Sequence, residues 1–135
     1  MRLVATLVLT GGLLVSGLGP LTADDLFPDK NLEAAVRQQV FEKRNKTEPL
    51  VEADVVNIST VEGIKKGIKS LQGLEKCKSL ALVDLRDNEI TDLEPIKDLK
   101  LIQSLDLSKN KIESIAPLAG LTGIQYLVFS ENKVL

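Results

Sequence analysis

Asp84 and Asp106 are the residues whose type and spacing come nearest to a catalytic or metal-binding pair. They lie 22 residues apart, and Asp84 alternates with apolar residues in the run Val83-Asp84-Leu85-Arg86, a pattern typical of a short β-strand. On neighbouring strands the two carboxylates would lie about 4.8 Å apart, where they could share a proton or a cation. A shallow sheet provides neither a pocket nor desolvation. We therefore interpret the pair as part of a solvated polar ladder and expect no metal and no cofactor.

Other side chains suited to catalysis are scarce. The sequence has no His, which removes the commonest general base. Cys77 is the only cysteine and lies one 22-residue step before Leu99 and two before Leu121, so we expect a small core residue rather than a nucleophile. The sequence therefore predicts a protein that is not an enzyme.

The composition is that of a single domain with a repetitive aliphatic core. Hydrophobic residues make up 44% of the 135-residue chain, enough for a core. Aromatic residues make up only 3% and Trp is absent, so Leu, Ile and Val must build that core, which favours thin repeated layers. The net charge is −2 with both signs mixed, which gives no electrostatic footprint for nucleic acid.

Residues 1–23 differ from the rest of the chain. After Arg2 no charge occurs before Asp24, and residues 3–18 form a dense apolar run. This pattern indicates a secretory signal peptide cut after Ala23, with a cut after Gly17 as an alternative. An uncleaved anchor is the rival interpretation, because the uncharged run approaches the roughly 20 residues that span a bilayer. We favour cleavage and predict a secreted, periplasmic or cell-surface protein without membrane contact.

The remaining chain follows one period. Asn88, Asn110 and Asn132 are each 22 residues apart, and apolar residues recur at the same phases around them. In each unit a strand is followed by a sharp turn, where a buried Asn amide can bond to both donors and acceptors of the backbone. Pro95 and Pro117 fall on the return segment, which needs no sheet donor and suits an extended or 3₁₀ conformation.

This pattern predicts an α/β solenoid with a parallel concave β-sheet, an extended or 3₁₀ convex side and an α-helical N-terminal cap. In the cap, apolar residues at helical spacing follow Asp29, which is placed as the N-cap, and a second short helix is expected at residues 49–56. We predict a cap at 24–57 and repeats at 58–135. The repeats comprise an atypical coil at 58–79, where Gly63 and Lys66 replace the expected apolar residue and Asn, full repeats at 80–101 and 102–123, and a partial repeat at 124–135.

These motifs resemble a known family. The segments FPDKNLEAAVR at 27–37, EAD at 52–54 and GIKSLQGLE at 67–75, followed by the 22-residue units, are similar to the capped leucine-rich-repeat domains of internalins and related bacterial surface proteins. The resemblance covers residues 27–135. It implies a protein whose concave sheet is presented to a protein ligand on a host or neighbouring cell.

Solvent-facing residues of successive strands should stack into columns on the concave face, and these are the candidate contacts for a partner protein. Tyr126, near Arg86, is a candidate hot spot because both residue types are enriched at such contacts; an isolated surface Tyr is the plain alternative. The predicted binding residues are Leu82, Asp84, Arg86, Asp87, Ser104, Asp106, Lys109, Tyr126, Val128 and Glu131.

The leading functional hypothesis is an exported module that recognises another protein, whose identity the sequence does not name, without catalysis. The alternative is an assembly unit, or a fragment of a larger surface protein, that stacks through an open C-terminal coil. In that alternative the chain self-associates through Leu127, Phe129 and Val134, because no return segment in the sequence covers them.

Overall fold

The structure is a computed structural model that describes residues 25–134, so the predicted signal peptide at 1–23 lies outside the described residues. Two α-helices precede a ladder of short strands separated by 3₁₀ turns. The helices are α1 (Lys30–Arg37) and α2 (Glu52–Val55), and the strands are β1 (Thr60–Glu62), β2 (Leu82–Asp84), β3 (Ser104–Asp106) and β4 (Tyr126–Val128). The 3₁₀ segments are Phe41–Lys43, Leu74–Lys76, Glu94–Ile96 and Ala116–Gly120.

The four strands form one parallel sheet in chain order, which confirms the predicted solenoid. Each residue pairs with the one 22 positions later, as Leu82 does with Ser104 and Ser104 with Tyr126. We call the successive layers coils 1 to 4, beginning at residues 58, 80, 102 and 124. The strand predicted at residues 83–86 lies instead at 82–84, because the chain enters its turn directly after Leu85.

The core is a stack of aliphatic layers beneath the sheet. In coil 2, Val83 and Leu85 point inward and are buried, whereas Leu82 faces outward and is exposed. Leu80, Ile90 and Ile96 complete the layer of coil 2 and are fully buried. Burying each such side chain stabilises the fold by roughly 1.5 to 3 kcal/mol, so the repeated apolar phases account for most of the solenoid's cohesion.

The three periodic Asn side chains satisfy the turn backbone, as predicted. Asn110 Nδ2 donates to the carbonyl oxygens of Leu85, Leu107 and Ser108 at 3.0 to 3.2 Å. Asn110 Oδ1 accepts from the amide of Ile90 at 3.0 Å. Each Asn therefore bonds both to its own coil and to the preceding one, which couples neighbouring layers.

The return segments are 3₁₀ turns, as predicted. Pro95 and Pro117 lie in the first turns of Glu94–Ile96 and Ala116–Gly120. Proline tolerates these positions because its missing N–H would have no partner there. The convex side is thus built from short tight turns, while the other side carries the sheet.

Helix α1 covers the end of coil 1. Its N-cap is Asp29, as predicted, whose Oδ1 accepts from the amides of Asn31 and Leu32. The other carboxylate oxygen accepts from the amides of Lys69 and Ser70 at 2.7 and 3.0 Å. Burial alone would raise the pKa of Asp29, but these four backbone donors outweigh it and lower the pKa below 3.8. One carboxylate therefore caps the helix and fastens it to coil 1.

Gly63 explains why coil 1 departs from the repeat pattern. It holds the phase filled by Leu85 in coil 2, yet a Cβ atom there would lie 2.9 Å from Ile68 and 3.1 Å from Ala35 of α1. Ile68 of coil 1 and Ala35 of the helix thus occupy the space that a large side chain fills in the later coils. Between residues 25 and 134, no helix has the length and apolar character needed to cross a membrane.

Candidate protein-binding face

The outward side chains of the four strands form two rows in register, which we call the sheet face. The rows arise because only alternate residues of a strand point inward, and the 22-residue register stacks the others. The first row is Thr60, Leu82, Ser104 and Tyr126, and the second is Glu62, Asp84, Asp106 and Val128.

Two large apolar side chains stand exposed on the first row. Tyr126 is 56% exposed and Leu82 is 39% exposed. They lie on β4 and β2, two strand spacings or about 10 Å apart, with the small side chain of Ser104 between them. The sheet face therefore carries a shallow slot with apolar sides and a polar floor.

Arg86 lies beside the aspartate pair. Its Nη2 is 3.1 Å from Asp84 Oδ2, and its Nη1 is 4.0 Å from Asp106 Oδ2. Asp106 Oδ1 accepts from both the amide and the hydroxyl of Ser108, at 3.0 and 2.7 Å. Sequence reasoning placed Arg86 in a separate column and missed this contact, since a repeat pattern does not report where a long side chain folds back.

The remaining predicted contacts lie on the turn beyond the strands. Asp87, Lys109 and Glu131 have left-handed backbone, with φ of 63°, 57° and 57°, and Lys65 shares the geometry in coil 1. All four are exposed. Because they follow the strand ends, they form a charged border along the sheet face rather than part of its centre.

Coil 1 extends the sheet face beyond the predicted residues. Thr60 and Glu62 pair with Leu82 and Asp84, and Ile64, which is 40% exposed, falls one period before Arg86. Sequence reasoning missed these three residues because Gly63 and Lys66 made coil 1 look irregular. Subtracting 22 from the numbers of the coil 2 residues would have found them.

Groups for catalysis or metal binding are sparse in the described chain. Within residues 25–134 no three His, Cys, Asp or Glu side chains are placed to hold a metal ion. Cys77 is fully buried, and its burial together with the charge of Glu75 raises the pKa of the thiol to about 12. The thiol is therefore protonated at neutral pH and packs as a small apolar residue, as predicted.

Several solved structures share this geometry. An internalin, InlF, from Listeria monocytogenes is similar over 87% of this chain, with 28% identity and a TM-score of 0.74. The chain is an internalin-like leucine-rich-repeat protein. Internalin C2 from the same organism matches 81% of this internalin-like chain with 28% identity and a TM-score of 0.53.

The functional domain of InlJ from Listeria monocytogenes shares the fold over 82% of the chain, with 23% identity and a TM-score of 0.74. The internalin-like chain spans 35% of the InlF chain, 24% of the InlJ chain and 67% of the internalin C2 chain. No family model matches the sequence.

Proposed function

We propose that this chain is an exported leucine-rich-repeat module that recognises another protein through a concave sheet face and performs no catalysis. The observation that carries the proposal is the exposure of Leu82 and Tyr126 on a sheet face that also carries Asp84, Asp106 and Arg86. Aromatic side chains such as that of Tyr126 are enriched at energetically important protein contacts. Similarity to internalins supports protein recognition as the general role.

Site-specific photo-cross-linking tests the proposal. A photoreactive phenylalanine analogue replaces Tyr126 in one variant and Leu101 in a matched control. Leu101 is 59% exposed but lies on the return segment between coils 2 and 3. Each variant is incubated with surface protein from candidate partner cells and then irradiated.

We expect defined protein adducts from position 126 and none from position 101. The adducts should be lost when Asp106→Asn is added, because this change removes a charge from the sheet face while retaining an acceptor for Ser108. Equal labelling from both positions, or none from position 126, would reject the sheet face as the recognition surface.

Self-association is the second candidate, and one observation favours it. Leu127 and Phe129 of coil 4 are only half-buried, whereas Leu105 and Leu107 at the same phases of coil 3 are fully buried. We propose that this layer, with Val134, packs against an apolar layer of a second copy. Light scattering coupled to size exclusion tests this, and Phe129→Glu should shift an oligomer toward monomer. A monomer at tens of micromolar would contradict self-association.

A further inference from the structure

The slot on the sheet face has an apolar side chain on each side of a small polar one. Leu82 and Tyr126 stand about 10 Å apart across the half-buried Ser104. At that spacing, an aliphatic chain lying over Ser104 can contact the side chains of both Leu82 and Tyr126. The face of Tyr126 adds a π surface that attracts cations.

A carboxylate oxygen with remaining hydrogen-bonding capacity lies at one end of the slot. Asp106 is two residues from Ser104 on β3, which is about 7 Å along the strand. Its Oδ1 is held by Ser108, whereas Oδ2 is 4.0 Å from Arg86, too far for a hydrogen bond. The Asp106 side chain is only 16% exposed, so a partner group must be long and thin to reach it.

The charges of the sheet face favour a cation at the end of the slot beside Asp106. Glu62, Asp84 and Asp106 form one row in register. The guanidinium of Arg86 forms ion pairs with Asp84 and Asp106 of this row. An acidic partner side chain would meet this row at short range and be repelled. Arg86 supplies one positive charge against the three carboxylates of this row, so a basic partner side chain would neutralise a further negative charge.

We propose that the sheet face binds an extended segment of a partner protein by a Lys or Arg side chain. Its aliphatic stem lies over Ser104 between Leu82 and Tyr126, and its charged end donates to Asp106 Oδ2. Lys and Arg combine an apolar stem with a cationic end, which matches the order of surfaces along the slot. This inference rests on the proposed function and specifies the partner chemistry that the face selects.

The test begins with random short peptides displayed on phage and selected on the immobilised protein. Selected peptides are synthesised, and their dissociation constants are measured by calorimetry against wild-type and variant protein. In each peptide the basic residue is also replaced by norleucine, which keeps the stem, and by Glu. Circular dichroism confirms that every protein variant is folded.

We expect the selected peptides to contain Lys or Arg and to bind roughly tenfold more weakly after norleucine replacement or after Asp106→Asn. Arg86→Gln should instead tighten binding severalfold, because it removes the internal cation that competes for Asp84 and Asp106. Asp98→Asn, an exposed carboxylate on the return side, is the matched control and should leave binding unchanged.

Two results would overturn the inference. The first is selection of peptides that carry no basic residue but lose affinity for Tyr126→Ala, and the second is weaker peptide binding by Arg86→Gln. Either result would reject the basic side chain and leave recognition by the sheet face intact. Selection of no peptide whose binding depends on Tyr126 or Asp106 would also reject the inference, and the proposed function would be rejected with it only if position 126 also gave no cross-linked adduct.

Discussion

At the scale of single residues, the buried amides decide whether the layers hold together. Asn110 is 7% exposed and supplies partners for three carbonyl oxygens and one amide. A buried polar group left without a partner costs about 1 to 3 kcal/mol. One Asn in each of coils 2 to 4 therefore supplies partners for several backbone groups that the sharp turn would otherwise leave without hydrogen bonds.

Asn110→Leu should accordingly destabilise the protein by more than about 3 kcal/mol, because several backbone groups lose their partners at once. Urea denaturation followed by circular dichroism measures the free energy of unfolding. Tyr126→Ala, at an exposed position on β4, is the control and should change that energy by about 0.5 kcal/mol at most. Equal losses from the two variants would contradict the assignment of inward and outward phases.

The left-handed turn residues give a second prediction at this scale. Lys109 has φ of 57°, a region that costs an L-residue roughly 1 to 2 kcal/mol and is worst for β-branched side chains. Lys109→Val should therefore destabilise the fold, whereas Lys109→Asn should be neutral or mildly stabilising, since Asn tolerates this conformation.

Lys111→Val provides the comparison for Lys109→Val. Lys111 is also exposed, has no positive φ, and loses only an exposed ion pair of 3.6 Å with Glu89. Such a pair contributes about 1 kcal/mol or less. Chemical denaturation of both variants should show a larger loss at position 109; the reverse order would argue against the left-handed turn.

At the scale of elements, the attachment of α1 to coil 1 depends on the ionisation of Asp29. Its carboxylate joins the first turn of the helix to the amides of Lys69 and Ser70, residues 40 and 41 positions away. Because the folded-state pKa is lowered below 3.8, the contribution to stability is present above the ordinary pKa and is lost as pH falls through the folded pKa.

Asp29→Asn should lower the free energy of unfolding by about 1 kcal/mol at neutral pH, because Asn keeps the cap but loses the charge-assisted bonds. The difference from wild type should shrink as pH falls below 3.8. Thermal or urea unfolding between neutral pH and about pH 2.5 checks the trend. Asp98→Asn is the exposed control, and a difference that grows on acidification would contradict the sign.

At the scale of the whole molecule, the described residues form a capped solenoid, and export remains a proposal from the sequence of residues 1–23. We expect the protein to be recovered outside the cytoplasm with an N-terminus near Asp24. Intact-mass analysis of the exported protein measures that terminus. A form that retains Met1 and partitions with membranes would support the anchor instead.

The repeating part of the fold could be predicted from the amino-acid sequence. A 22-residue period in apolar residues, Asn and Pro predicts the parallel order of β1 to β4 and the stacking of Leu82, Ser104 and Tyr126. Residues of the same type recur at the same positions of each coil, so successive coils adopt the same conformation and stack in register. The period also predicted the interior role of Asn110 and the core position of Cys77, since phase within the repeat reports whether a side chain faces inward.

Contacts outside the 22-residue period could not be predicted and became apparent in the folded structure. Arg86 bridges Asp84 and Asp106, Asp29 bonds across 40 residues to Lys69, and Gly63 makes room for α1. The Arg86 contact depends on the conformation of one long side chain, and the other two contacts join α1 or its cap to coil 1, a placement that the repeat does not encode. They follow from how a long side chain or a capping helix fills the space beside its neighbours, which is settled when the layers pack together.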